Sequence, residues 1–227
     1  MRFILRATTV FALCAPVWAI DLAALSNADA AGGLKEALTQ GAGRAVELLG
    51  SDGGFMNNPK VKIPLPGVLE QAAPLLRMTG HGKDMDQLVA TMNSAAEAAV
   101  PEAKTLLIDA VKSMTVQDAK AILTGGDDSV TRYFRSKTED ALAQRFLPVV
   151  TRYTDSLAVS TQYNQLAGQA ASVGLVKGED ARIEGYVTRK ALDGLYLMIA
   201  EEEQAIRQNP MGAAGGLAKK VFGALQQ

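Results

Sequence analysis

Residues Glu179–Arg207 read EDARIEGYVTRKALDGLYLMIAEEEQAIR. At roughly 100° per residue, Val187, Ala191, Leu195, Met198, Ala205 and Ile206 share one side of a helix, and Asn209-Pro210 stops it. The same three- and four-residue recurrence continues through most of the chain. Thirty-seven of the 227 residues are alanine, the best helix former, and β-branched and aromatic runs are scarce. The expected fold is all-α: a single-domain irregular helical bundle of about seven to nine helices with one extended Pro/Gly-containing loop.

Working outward, Leu34, Leu38, Ala45, Val46 and Leu49 predict a first amphipathic helix over Gly33–Leu49, closed by Gly50. Ser51–Pro66, SDGGFMNNPKVKIPLP, breaks the pattern with three prolines and two glycines, and reads as an extended loop or at most a short strand. A short helix is expected over Gly67–Met78. From Asp84 one face runs through Met85, Val89, Met92, Ala96, Ala99, Ala103, Leu107, Ala110 and Met114, with Pro101 kinking that helix or opening a new one. Its methionine stripe reads as core. Thr115 and Asp118 resemble a capping box, Gly125-Gly126 ends the helix they open, and Asp127 or Asp128 is expected to cap the next, which runs to Pro148. Another helix begins near Val159. The domain reading is a signal peptide over 1–19, a flexible segment over 20–32, a helical domain over 33–210 and an amphipathic tail helix over 211–227.

Two charges fall on apolar faces. Glu202 lies amid the face of the long helix, and Arg145 lies near the centre of a face made by Val130, Phe134, Ala141, Leu142 and Val149. Burying either unpaired is costly, so the expectation is that they pair with each other or with another buried charge. Such a pair more often fixes helix register than binds a ligand.

Composition excludes several classes. With 23 basic against 24 acidic residues, the chain lacks the surplus of a nucleic-acid binder. Arg2 and Arg6, the uncharged run from Ala7 to Trp18, and Val17 and Ala19 at small-residue positions read as a secretory signal cleaved after Ala19. Leu13 before Cys14 does not suit a lipobox, so no lipid anchor is expected, and no later stretch is apolar enough to span a bilayer. Cleavage would remove Cys14, the sole cysteine, and leave a net charge of −3. Disulfides, thiolate catalysis and Cys-based metal sites then disappear, and the single histidine, His81, cannot build a multi-histidine centre.

The remaining strings have ordinary readings beside chemical ones. GGDDS at Gly125–Ser129 could hold a cation or phosphate, yet two adjacent carboxylates supply too few ligands, and a C-cap followed by an N-cap explains it. His81 would need Asp84 or Asp86 to orient it as a general base. Lys60 and Lys62 near Asn57-Asn58-Pro59 read as solvated residues of a turn. No metal, cofactor or catalytic constellation is expected.

NPKVKIPLP from Asn58, MNSAAEAAVPEAK from Met92, TGGDDSVTRYF from Thr124 and the string from Tyr186 to Pro210 together resemble a family of exported bacterial proteins known as domain of unknown function 4197. The resemblance spans about Leu34–Gly223. It implies a Gram-negative periplasmic setting and a helical domain, and gives weight to the GGDD and AEEE strings. The chain departs from the family pattern at Ser94, where a basic residue is usual, and at His81, where histidine is not, which weakens a catalytic reading of His81.

Three functions follow. The first is a non-enzymatic module binding a ligand or an envelope protein between its helices, with the 50–66 loop at the site and Asp127, Asp128, Tyr133, Arg145, Glu201 and Glu202 as candidate contacts. The second is a carboxylate-based hydrolase or lyase using Asp127, Asp128, Glu201 and Glu202 with Tyr133. The third is an envelope-associated assembly protein, a homodimer or a complex with another chain, joined through Leu217, Val221, Phe222 and Leu225 of the tail. Convergence of the acidic residues on a pocket would separate the first two from a purely structural role.

Overall fold

The computed structural model describes residues 27–172, 174 and 180–209, so the signal peptide expected over 1–19 and the tail helix over 211–227 lie outside the described residues. Among the described residues there are eight α-helices and no strand: α1 (Asn27–Leu49), α2 (Gly67–Met78), α3 (Gly82–Ala99), α4 (Ala103–Ser113), α5 (Val116–Leu123), α6 (Ser129–Thr154), α7 (Ala158–Ser172) and α8 (Ile183–Gln208). The all-α reading holds.

Long helices α6 and α8 run antiparallel at the centre, since Glu203 meets Val130 while Tyr196 meets Thr138. Helix α3 packs on both, α1 lies along α8, and α4 bridges α1 and α6. The core interleaves Phe134, Leu142, Phe146 and Val150 of α6 with Val187, Leu195 and Ile199 of α8 and Leu88, Met92 and Ala96 of α3. Met85, Met92 and Met114 are all buried, as core methionines should be.

Local chemistry sets most boundaries. Thr115 and Asp118 form the full capping box: the Thr115 hydroxyl accepts the Asp118 N–H at 3.0 Å, and the Asp118 carboxylate accepts the Thr115 N–H at 2.9 Å. These bonds hold the Asp118 carboxyl below its ordinary range. Pro101 sits in a 3-10 turn, Val100–Glu102, after which α4 starts afresh.

Three expectations need correction. Helix α1 begins at Asn27 rather than Gly33, running through Gly32-Gly33, because Ala31, Leu34, Ala37 and Leu38 bury a continuous stripe that outweighs glycine's poor propensity. Helix α6 passes through Pro148 to Thr154. The missing N–H would have met the carbonyl of Gln144, a residue on the exposed side of the helix, while Phe146, Val149 and Val150 anchor the last turns. Third, Asp128 occupies the N-cap position of α6 but makes no capping bond.

Candidate functional site

The six residues singled out from the sequence do not converge. Asp127 is exposed, and Asp128 pairs at 2.8 Å with exposed Arg132 one turn along α6. Tyr133 is buried and its hydroxyl donates to the Ala110 carbonyl at 2.8 Å, tying α6 to α4. Burial pushes its pKa up. Glu201 reaches Lys60 of the Ser51–Pro66 segment at 2.7 Å, and Glu202 reaches Arg44 of α1 at 3.3 Å. Arg145 is exposed. The expectation that Arg145 and Glu202 pair with each other or with another buried charge is therefore overturned, since Arg145 is exposed and Glu202 pairs with the exposed Arg44. Helix α8 has neighbours on several sides: near its end Glu203 turns to α6, while Glu202 turns to α1, where it and Ile206 lie beside Gly41.

The buried acid of the AEEE string is Glu203, 4% exposed. Its carboxylate accepts the backbone N–H of Val130 and of Thr131, both at 3.2 Å, and so caps α6 from another helix. Arg207, one turn along α8, donates to the same carboxylate at 2.9 Å, to the Ser129 hydroxyl at 2.8 Å and to the Ile122 carbonyl at 3.2 Å. The charge is thus neutralised and hydrogen-bonded together, which is what a buried pair requires. Gly125 has its reason here too: a Cβ would stand 2.7 Å from that of Ser129 and 2.8 Å from the Ala121 carbonyl oxygen. GGDDS and AEEEQAIR are two halves of one clamp.

A second clamp joins the other two strings. The Ser51–Pro66 segment is a strap buried at Phe55, Val61 and Ile63. A strap without sheet or helix partners must satisfy its backbone elsewhere. Asn93 of α3 accepts the Ile63 N–H at 2.9 Å and returns its amide to the Ile63 carbonyl at 3.0 Å. One turn later Glu97 accepts the N–H groups of Phe55 and Met56 at 2.9 and 3.0 Å. The Tyr186 hydroxyl donates to the Pro64 carbonyl at 3.1 Å. The strap is thus held by side chains of α3 and α8. Sequence reading missed Asn93 and Glu97, although two polar residues four apart beside an alanine stripe were a usable signal.

A groove lies between α2, α3 and α7, with a volume of about 410 Å³. Leu69, Leu76, Met85, Leu157 and Val159 form its apolar walls. Its polar rim carries His81, whose Nδ1 lies 3.0 Å from Asp84 Oδ2, together with Gln87, Ser156 and Gln162. Asp86, the other carboxylate expected near His81, instead pairs with Arg77 at 2.6 Å, which lowers its pKa. Tyr163 closes one side; burial pushes its pKa up to about 12, so it stays a neutral donor to the Asp180 carbonyl at 2.7 Å. None of the six sequence candidates lines this groove. Among the described residues no cluster suits a metal ion, and no helix is long and apolar enough to cross a membrane.

The class this defines is an all-α chain whose signature strings clamp its own helices and whose groove is apolar with a polar rim. The chain belongs to the family described as Protein of unknown function (DUF4197), whose model matches residues 24–223. No curated protein and no solved structure matches it.

Proposed function

We propose that this chain is a non-enzymatic periplasmic module that binds a small apolar or amphipathic molecule in the groove between α2, α3 and α7. The observation that carries this reading is the groove itself: about 410 Å³, within the range of small-molecule sites, walled by aliphatic side chains and edged by a few polar ones. Leu75 and Met78 of α2, the helix that walls the groove, are exposed. The export signal read at the N-terminus supports the compartment, and the separation of Asp127, Asp128, Glu201, Glu202 and Tyr133 into structural roles argues against a carboxylate hydrolase.

Native mass spectrometry of the protein purified from the periplasm tests this directly. A mass excess that disappears on denaturation, and extracts into organic solvent, is the expected result. Clean mass, together with no saturable binding of an apolar fluorophore such as N-phenyl-1-naphthylamine, would remove the proposal.

A further inference from the structure

A second cavity, of about 550 Å³, adjoins the α2–α3–α7 groove along α3 and the end of α6. Gln87, Ser156 and Leu157 line both, so the two form one trough. Its character changes along its length. Toward α2 and α7 the walls are aliphatic side chains, whereas toward the end of α6 they carry Arg152, Tyr153 and Glu102, with Ala98 and the buried Val149 among them.

The charges of this polar end are free. Elsewhere in the trough His81 and Asp84 bond to each other at 3.0 Å, and the Tyr163 hydroxyl donates to the Asp180 carbonyl at 2.7 Å. Arg152 and Glu102 are exposed, and neither side chain makes an ion pair or hydrogen bond among the described residues. Glu102 holds the N-cap position of α4 without a capping bond. Tyr153 is 41% exposed, and its hydroxyl has no partner among the described residues.

Two opposite unpaired charges on one cavity decide which head group suits it. An anion would lose to Glu102 what it gained from Arg152, and a cation the reverse. A zwitterion gains from both, its anionic group at Arg152 and its ammonium at Glu102, where the face of an exposed tyrosine also attracts a cation. An apolar chain on that head has the aliphatic end of the trough to fill.

We infer that the trough binds a single-chain zwitterionic amphiphile, its chain between α2, α3 and α7 and its head between Arg152 and Glu102. This rests on the α2–α3–α7 groove being a ligand site, and names the chemistry of what enters it.

The test uses three amphiphiles with one chain and different heads, dodecylphosphocholine, dodecyl phosphate and dodecyltrimethylammonium, titrated calorimetrically into the protein purified from the periplasm, each below its micellar concentration. The zwitterion is expected to bind at least several-fold more tightly than either singly charged analogue. Arg152→Gln should turn the preference toward dodecyltrimethylammonium, and Glu102→Gln toward dodecyl phosphate. Both positions are exposed, so both variants should fold. Ala72→Phe should weaken all three amphiphiles, because the chain then meets a filled cavity. Equal affinities for the three heads, a ranking unchanged in both charge variants, or association of dodecylphosphocholine only as micelles overturns the inference. Saturable binding of N-phenyl-1-naphthylamine beside any of those results would leave the groove standing as a site for an uncharged apolar molecule. Failure of all three amphiphiles and of N-phenyl-1-naphthylamine overturns both readings.

Discussion

Glu203 caps Val130: a carboxylate on the last turns of α8 accepts the N–H of the first turn of α6 at 3.2 Å, across 73 residues of sequence. The acid beside the helix start, Asp128, is left to an exposed pair with Arg132. Position in space, rather than adjacency in sequence, selects the cap. Glu203→Ala would strand Arg207 without its counter-charge and leave two N–H groups bare, so a loss of about 3–5 kcal/mol is expected. Asp128→Ala should cost less than about 0.5 kcal/mol. Urea denaturation of the two variants measures both, and equal losses would mean that the long-range cap is not what holds α6.

The strap makes a comparable prediction at α3. Asn93→Asp keeps the acceptor for the Ile63 N–H but sets a buried, unpaired carboxylate against the Ile63 and Val89 carbonyls, whereas Asn93→Leu loses the bonds without adding a charge. A loss of about 2–4 kcal/mol is expected for Asn93→Leu and a larger one for Asn93→Asp, since an unpaired buried charge costs more than a bare polar group. Glu97→Gln retains an oxygen for the Phe55 and Met56 N–H groups and should be the mildest of the three. Hydrogen exchange at the Phe55, Met56 and Ile63 amides locates the effect. Protection unchanged in Asn93→Leu would show the strap to be held by packing alone.

Packing under the strap is tight enough to test separately. A Cβ on Gly194 would approach the Phe55 ring to 2.7 Å and Val61 to 3.3 Å. Phe55 is fully buried, so the ring cannot swing into solvent. Gly194→Ala should therefore destabilise by about 1–3 kcal/mol despite the better helix propensity of alanine. Adding Phe55→Leu should recover part of that loss in a double-mutant cycle, and strictly additive losses would remove the ring as its cause.

These contacts show what was and was not legible. Signals whose two halves lie within four residues were readable: the Thr115–Asp118 box, the break at Pro101, the stop at Asn209. So was the all-α class, which needs only periodicity. The helical wheel failed at Glu202 because it assumes one buried face, and α8 is covered by α1, α3 and α6. Asn93, Glu97 and Glu203 were passed over for a shared reason. Each satisfies a backbone segment remote in sequence, and a polar residue beside an apolar stripe does not name the segment it will serve. The groove was invisible for the same cause, being built from α2, α3 and the start of α7.

Three tyrosines give the fold a dependence on alkali. Burial pushes Tyr163, Tyr186 and Tyr196 up to about 12, while in an unfolded chain they titrate near their ordinary value of about 10. Above about pH 10 the unfolded state therefore holds fewer protons than the folded one, and stability falls with rising pH. It is complete below about pH 10 and lost progressively toward about pH 12. The urea midpoint should stay level up to about pH 9.5 and then decline, with phenolate absorbance appearing as the chain unfolds. A midpoint that stays level through about pH 11.5 would mean the three hydroxyls titrate freely in the folded protein.

The groove between α2, α3 and α7 yields the sharpest functional prediction. Ala72 lines it and is only partly exposed, so Ala72→Phe places a ring in the cavity without disturbing the two clamps. Trp18 is the single tryptophan of the chain, and cleavage after Ala19 would leave none to confuse probe fluorescence. N-Phenyl-1-naphthylamine should bind the wild-type protein saturably and bind Ala72→Phe at least about tenfold more weakly, a loss of about 1.4 kcal/mol, with thermal stability unchanged. His81→Ala should alter the affinity of this uncharged probe little, because His81 stands on the rim, 59% exposed and bonded to Asp84. The opposite pattern, binding lost with His81 and kept with Ala72→Phe, would place the ligand on the polar rim and reject an apolar cavity as the site.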